Sequence, residues 1–405
     1  MNDTPRANRP HIALFGCTNS GKSSLINALT NQELSLVSEV KGTTTDPVFK
    51  SMEILPLGPV VLIDTAGLDD QSELGQFRIK RSLEILNKVD IVVLVSDAQI
   101  GLTSIEEDFL TKVKAKNLPF LILLNKCDLI NAQTISCSYP HIIVSAKTRF
   151  NIDSVLNALG KLKPESHLKF KLVGDLVSAG DIVVLVTPID KAAPQGRLIL
   201  PQQQVIRDLL ESDAITLIVK EHELKDALAS LSRKPKMVIT DSQVFLKVAA
   251  DTPKDILLTS FSILFARFKG DLEPYINGAK ALDNLKNGDK ILVLEGCTHH
   301  KSCDDIGTVK LPRWIRQYCG KEINFTSFSG QSFPVNLSEY ALILMCGSCM
   351  LTRQDVEYRL SLVKSSNTPI INYGMAIAHV QGILHRSLQC FPVIQNMLND
   401  NDSDI

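Results

Sequence analysis

The chain has no apolar run long enough to cross a membrane, and the residues ahead of its first apolar segment, MNDTPRANRP, have no secretory h-region. It also has no excess of charge of either sign. With 43 Lys and Arg against 44 Asp and Glu the formal net charge is -1, which argues against binding a nucleic-acid backbone and leaves only local basic patches to consider. Nine cysteines, an odd number spread over 405 residues, argue against a disulfide framework and for the reducing cytoplasm. Tryptophan occurs once, at position 314 in PRWIRQY, where it is expected to pack a helix rather than stack on a base. What remains, 44% hydrophobic and 21% charged, describes an ordinary globular chain of two or three domains.

Residues 11–15, HIALF, read as a strand, and GCTNSGKS (16–23) follows it before an apolar helix face of Leu25, Ile26 and Leu29. This is GxxxxGKS in the strand, glycine-rich loop and helix context that gives the motif its meaning. Gly16, Asn19, Ser20, Gly21, Lys22, Ser23 and Ser24 would cradle the phosphates with backbone N–H groups, Lys22 would reach the β and γ phosphates, and Ser23 would ligate Mg2+. Lys41–Asp46 is polar and suited to a switch. Thr44 is its candidate for the magnesium and γ-phosphate contact, with Thr43 and Thr45 as alternates. The strand VVLI (60–63) runs into Asp64-Thr65-Ala66-Gly67, where Asp64 would hold a water of the magnesium shell and the Gly67 N–H would sense the γ-phosphate. FLILL (120–124) leads to Asn125-Lys126-Cys127-Asp128, whose Asp128 carboxylate suits the N1 and 2-amino donors of guanine, a pair that adenine lacks. Ser145-Ala146-Lys147 would pack on the base edge, so the expected ligands are GTP and GDP.

Together these stretches make residues 1–165 resemble the small-GTPase-like translation-factor class. Leu68 stands where Ras-like switches carry the glutamine that orients water. Asn19, with Gly42-Thr43-Thr44, resembles the potassium-activated branch that includes the tRNA-modification GTPase TrmE. That resemblance implies slow turnover raised by K+, with Asn19, Lys22, Thr44 and Gly67 as the catalytic set.

Residues 166–265 alternate strand and helix: strands at 181–186, 214–219 and 237–240, helices at 202–210, 223–231 and 244–250. The loop at 187–197 carries Lys191 and Arg197, either of which suits phosphate. No nucleophile, carboxylate pair or metal spacing appears, and a self-association surface is the expected role.

In residues 266–405 two short apolar runs end in cysteines: ILVL (291–294) before Cys297, and LILM (342–345) before Cys346, with Cys349 three residues beyond that. If the runs are neighbouring parallel strands, the three thiols converge on one rim beyond their carboxyl ends. Buried small side chains, a redox pair, zinc and an iron-sulfur centre all stay open on the residues alone. A helix over 354–363, a strand over 369–374 and a helix over 376–388 complete the domain, with His379 and His385 as packing groups and Cys127, Cys137, Cys319 and Cys390 as incidental.

A GTPase domain followed by Cys297-Thr298-His299 and Cys346-Gly347-Ser348-Cys349 is similar to HydF, the GTPase family that assists maturation of [FeFe]-hydrogenase. The resemblance spans the chain and implies a [4Fe–4S] cluster on Cys297, Cys346 and Cys349. The family's histidine before the second cysteine is Met345 here, so the fourth iron takes another ligand, Asp304 or His299, or water. It further implies a diiron precursor made with two radical-SAM maturases, delivery to the apo-hydrogenase, and a homodimer. The expected architecture is α/β: an N-terminal P-loop GTPase domain followed by two smaller parallel-sheet α/β domains, the last carrying the iron-sulfur site. The rival reading is a tRNA- or ribosome-associated GTPase with a structural zinc site.

Overall fold

The computed structural model describes residues 5–30, 47–70, 75–130, 137–162, 171–189, 198–296, 305–330, 333, 336–391 and 394. The chain divides into two compact units, Met1–Lys169 and Phe170–Ile405.

In the first unit β1 (His11–Phe15), α1 (Lys22–Thr30), β2 (Val48–Ile54), β3 (Gly58–Asp64), α2 (Gly75–Leu86), β4 (Ile91–Asp97), α3 (Ser104–Ala115), β5 (Phe120–Asn125), β6 (His141–Ile143) and α4 (Ile152–Lys161) follow one another. Six strands form one sheet in the order β2-β3-β1-β4-β5-β6. Only the β2–β3 pair is antiparallel. Strand β1 is buried along its whole length, as a central parallel strand covered on both faces must be. Its odd and even residues serve two cores: Ile12 and Leu14 pack with α1 and α4, Ala13 and Phe15 with α2 and α3. Strand β2 was not legible in the sequence, because an edge strand that is largely exposed carries no apolar run.

The second unit holds two four-stranded sheets. Strands β7 (Ile182–Val186), β8 (Ile215–Val219), β9 (Met237–Thr240) and β10 (Leu257–Ser260) alternate with α5 (Leu200–Leu210), α6 (Leu224–Ser230) and α7 (Phe245–Asp251), and α8 (Phe261–Lys269) follows. Next come α9 (Glu273–Asp283), β11 (Lys290–Glu295), α10 (Leu311–Cys319), β12 (Asn324–Ser329), β13 (Leu342–Met345), α11 (Arg353–Ser366), β14 (Ile370–Asn372), α12 (Tyr373–Val380) and α13 (Leu384–Leu388). The strand orders are β10-β9-β7-β8 and β12-β11-β13-β14, parallel throughout. Both sheets contribute to one continuous hydrophobic core. Helix α8 makes this continuity possible: Phe261, Ile263, Leu264, Phe265, Ala266 and even Lys269 are buried, so it is apolar round most of its circumference. Trp314 packs against this core from α10, as its setting implied.

The expected single helix over 376–388 is instead two helices. Gly382, at φ +70°, breaks the run, and α12 begins three residues early because the Asn372 side chain accepts the Gly374 N–H and caps it.

Helix α9 approaches β14 so closely that a methyl on Gly278 would stand 1.8 Å from the Ile370 carbonyl oxygen. Gly278→Ala is therefore expected to lower stability by roughly 1–3 kcal/mol despite alanine's better helix propensity. Urea unfolding followed by circular dichroism checks this, and an unchanged midpoint would show that α9 moves away at no cost.

Candidate functional site

The carboxyl end of β1 is where the strand order of the first sheet reverses, with β3 on one side and β4 on the other, the place where open α/β sheets bind ligands. The loop from Gly16 to Gly21 emerges there and passes into α1 at Lys22. Gly21 has φ +92° and a side chain on it would collide with Asn125 Nδ2 at 2.2 Å, so glycine is demanded on both counts. Asn125 ties the two halves of the site together: its Nδ2 donates to the Ser20 carbonyl at 2.9 Å and its Oδ1 accepts the Ala146 N–H at 3.0 Å. Ser145 Oγ donates to Asp128 Oδ1 at 2.6 Å, and this bond holds the Asp128 carboxyl below its ordinary pKa, ionised to receive donors. Lys126 reaches Asp97 at 2.7 Å, and Lys147 lies beside Ala146 on the surface of the same end. Of the nucleotide candidates, Gly16, Ser20, Gly21, Lys22, Ser23, Asp64, Gly67, Asn125, Lys126, Asp128, Ser145 and Ala146 thus share one sheet edge. Asn19 is exposed on the loop in the left-handed region, at φ 62°, and Ser24 is half-buried in the first turn of α1.

Lys22 Nζ donates to the Gly16 and Cys17 carbonyls, each at 2.9 Å. Burial pushes its pKa down, against the nearby carboxylates of Asp64 and Asp69, which push it up. Ser23 Oγ donates to Asp64 Oδ2 at 2.5 Å, while Asp64 Oδ1 is buried with no partner. A hydroxyl beside a buried carboxylate with a spare oxygen is the hard-oxygen donor set that Mg2+ takes, so these residues fit the ion the motif implies. Leu68, where a water-orienting glutamine was absent, is packed in the core.

Sequence reasoning missed the tie between the loops. Asp69 Oδ1 accepts the Thr18 N–H at 2.6 Å and the Thr18 hydroxyl at 2.8 Å. Nothing in the local pattern of DTAGLDD distinguishes this carboxylate from its neighbours. Glu106 was missed for the same reason. It caps α3 together with Thr103 and also accepts from Cys17 N and Ser96 Oγ.

In the last sheet the strand order reverses at β11, between β12 and β13. Leu294 pairs with Met345, so the chain positions leading to Cys297 and Cys346 leave adjacent strands at the same edge. The Gly296 N–H donates to Cys346 Sγ at 3.2 Å and the Ser348 N–H donates to it at 3.4 Å. Two backbone donors aimed at one sulfur match the hydrogen bonding found around the sulfurs of iron-sulfur clusters. Cys349 is half-buried one turn further on, after Ser348 in the left-handed region at φ 55°. Helix α11 starts only at Arg353, so neither thiol sits at the helix N-terminus a redox pair uses. Anchors come from the adjacent strand β14 and from α8: Asn372 Nδ2 donates to the Cys346 carbonyl at 3.4 Å, Ser262 Oγ donates to Asn372 Oδ1 at 3.0 Å, and the buried Lys269 donates to the Leu351 carbonyl at 2.6 Å. These anchors are far from Cys346 in sequence, Asn372 by 26 residues and Ser262 and Lys269 by 84 and 77, and no linear motif announces them.

Thr44, Cys297, His299, Cys303, Asp304, Lys191 and Arg197 lie outside the described residues. Among the described residues no group of three or more His, Cys, Asp or Glu is disposed to hold a metal ion. No helix among them is long and apolar enough to cross a membrane.

Comparison with known proteins finds three family matches: a 50S ribosome-binding GTPase domain over residues 11–126, a hydrogen maturase F dimerization domain over 172–270 and a hydrogen maturase F tetramerization domain over 273–390. Among curated relatives, the tRNA modification GTPase MnmE of Prochlorococcus marinus is 37% identical over 158 residues, covering 37% of this chain and 34% of that protein. GTPase Der of Kosmotoga olearia is 30% identical over 187 residues, covering 41% and 42%. The chain thus spans well under half the length of these relatives. A solved structure of Era from Aquifex aeolicus bound to GDP and aluminium fluoride covers 52% of this chain and 93% of its own, at 18% identity and a TM-score of 0.35.

Burial raises the Asp64 carboxyl pKa, outweighing the Ser23 hydrogen bond and the charges of Lys22 and Lys50 that lower it. The folded state therefore holds this proton more tightly than the unfolded chain. Its contribution to stability is complete below the ordinary carboxylate pKa and is lost as pH rises through the raised value. Asp64→Asn removes that loss, so between pH 4.5 and pH 8 the melting temperature of the variant is expected to gain roughly 2–4 °C on wild type in nucleotide-free protein. Thermal melts across this range check it, and a difference that is flat or runs the other way would contradict the assignment.

Proposed function

Since two adjoining hydrogen maturase F domains together match more than half of it, the chain belongs to the hydrogen maturase F family, and from this we propose that it is a GTP-hydrolysing scaffold for hydrogenase maturation. The N-terminal unit is a P-loop GTPase domain. GTP is held with its phosphates on the Gly16–Ser24 turn and its base at Asn125, Asp128 and Ser145–Lys147. Ser23 and Asp64 would hold Mg2+, which supplies charge neutralisation for the departing phosphate. The exposed Asn19, with Leu68 removed into the core, favours a monovalent cation such as K+ over a switch side chain as the group that completes catalysis.

The observation that carries the scaffold reading is at the other rim. Cys346 Sγ receives the N–H of Gly296, the chain neighbour of Cys297, at the point where the strand order reverses. Cys297, Cys346 and Cys349 would hold a [4Fe–4S] cluster. With Met345 in place of histidine, the fourth iron falls to Asp304, His299 or water and stays exchangeable. The cluster, when bound, supplies an open iron site for a diiron precursor, the cargo delivered to apo-[FeFe]-hydrogenase after two radical-SAM maturases have acted. The chain's own part is to fix the turn that carries the thiols: Asn372, itself held by Ser262, donates to the Cys346 carbonyl, and Lys269 donates to the Leu351 carbonyl. Self-association fits strand β8, an edge strand that exposes Ile215 and Ile218. A cytoplasmic setting, which keeps thiols reduced, suits this chemistry.

Anaerobic reconstitution with iron and sulfide is expected to give a reduced protein with a four-iron electron paramagnetic resonance signal. The signal should be lost or altered in Cys297→Ala, Cys346→Ala and Cys349→Ala, with GTP hydrolysis retained. Stoichiometric zinc without an iron signal would instead support a ribosome- or tRNA-associated GTPase, the reading that the ribosome-binding GTPase match at residues 11–126 favours. In a separate assay, GTP turnover in KCl is expected to exceed that in NaCl by roughly tenfold or more, and Asn19→Ala to erase the difference. Equal rates in the two salts would remove the cation from the mechanism.

A further inference from the structure

The backbone N–H groups of a phosphate-binding turn are receptors for anions, and here two of them are held by carboxylates of the chain itself, Cys17 by Glu106 and Thr18 by Asp69. Asp69 Oδ1 lies 2.6 Å from the Thr18 nitrogen and 2.8 Å from the Thr18 hydroxyl. The neighbouring backbone identifies which phosphate this carboxylate opposes. A methyl on Gly67 would stand 2.9 Å from the Thr18 nitrogen and 3.0 Å from Asp69 Oδ1, so Thr18, Gly67 and Asp69 meet at one point. Gly67 is the turn of DTAG, and in P-loop proteins the switch turn is ordered by the third phosphate. The backbone of the inner turn and the start of α1 suit the first two phosphates, and Lys22 reaches from the second to the third.

We propose that Asp69 sets the nucleotide preference of the site: its carboxylate holds the Thr18 donors that a third phosphate needs, so a triphosphate must displace it and a diphosphate leaves it in place. The inference rests on residues 16–147 being the guanine-nucleotide site. Displacement also has a route outward. Asp70, the next residue, pairs through Oδ2 with Arg78 of α2 at 3.1 Å, and the Asp70 carbonyl oxygen would lie 2.0 Å from a methyl on Gly75. The segment that Asp69 anchors is thus fastened directly to the helix after it. A charge-bearing latch at Thr18 makes α2 respond to the third phosphate even though Leu68 offers no side chain to the reaction.

The test is a pair of titrations by calorimetry in the presence of Mg2+, with GDP and with the non-hydrolysable triphosphate GppNHp, on the full chain. Asp69→Asn keeps the shape and an acceptor oxygen but drops the charge, and Asp69→Ala drops both. GppNHp is expected to bind Asp69→Asn about tenfold more tightly than wild type, equivalent to about 1.4 kcal/mol, while GDP changes by less than about twofold. Asp69→Ala should gain at least as much, and Thr18→Val, which loses only the hydroxyl donor, should gain less. Effects of Asp69→Ala and Thr18→Val in one chain should fall short of their sum, as for residues in one contact. An unchanged ratio of GppNHp to GDP affinity in both Asp69 variants, or weaker GppNHp binding, overturns the proposal while leaving the nucleotide site intact. A wild-type chain that binds neither nucleotide overturns the guanine-nucleotide reading on which it stands. If Asp69→Ala fails to fold, the isosteric Asp69→Asn decides alone.

Discussion

Parallel strands all end at the same edge, and that geometric constraint organises both candidate sites. When strands run parallel, each chain segment leaving a strand must cross a helix layer before it returns, so the loops at the carboxyl edge gather short polar stretches from distant sequence. The constraint acts most strongly where the strand order reverses, because two crossovers then diverge and leave a crevice. The first sheet has that crevice at β1 and the last at β11. The turn of GCTNSGKS occupies one, and the turn that carries Cys346 leaves the other. One backbone arrangement thus serves residues of quite different chemistry.

The two rims are held by different means. Around the nucleotide turn the ties are local to one sheet: Asn125 spans from Ser20 to Ala146, Asp69 reaches the turn from the loop after β3, and Glu106 reaches it from the first turn of α3. At the cysteine rim the ties come from Asn372 of β14 and from Ser262 and Lys269 of α8, a helix sunk in the core common to both sheets. Burial of an ammonium is costly unless its hydrogen bonds are made, so Lys269 on the Leu351 carbonyl marks a position where a fixed loop is worth that cost. The turn bearing Cys346 is consequently set by the packing of α8 as much as by its own sequence.

The legible part of this protein was whatever is written contiguously. GCTNSGKS, DTAG and NKCD each sit on a strand-to-loop junction, so the order of strands and loops in the first unit followed from local pattern, and Met237–Thr240 matched its expected strand at both ends. The end of β13 at Met345 was legible for the same reason, since the apolar run LILM stops at Cys346. What escaped was non-local or weakly apolar. Strand β2 reads as polar because it lies exposed at an edge, the break at Gly382 depended on one left-handed residue, and Asp69, Ser262, Asn372 and Lys269 matter through partners that only the fold brings near. Thr44, Cys297 and Asp304 lie outside the described residues, so their roles rest on motif and family.

Strand β8 closes the order of its sheet, and among the described residues no strand pairs with its outer edge, beside which Ile215 and Ile218 are exposed. Such a margin accepts any extended segment, native or not, until it is covered.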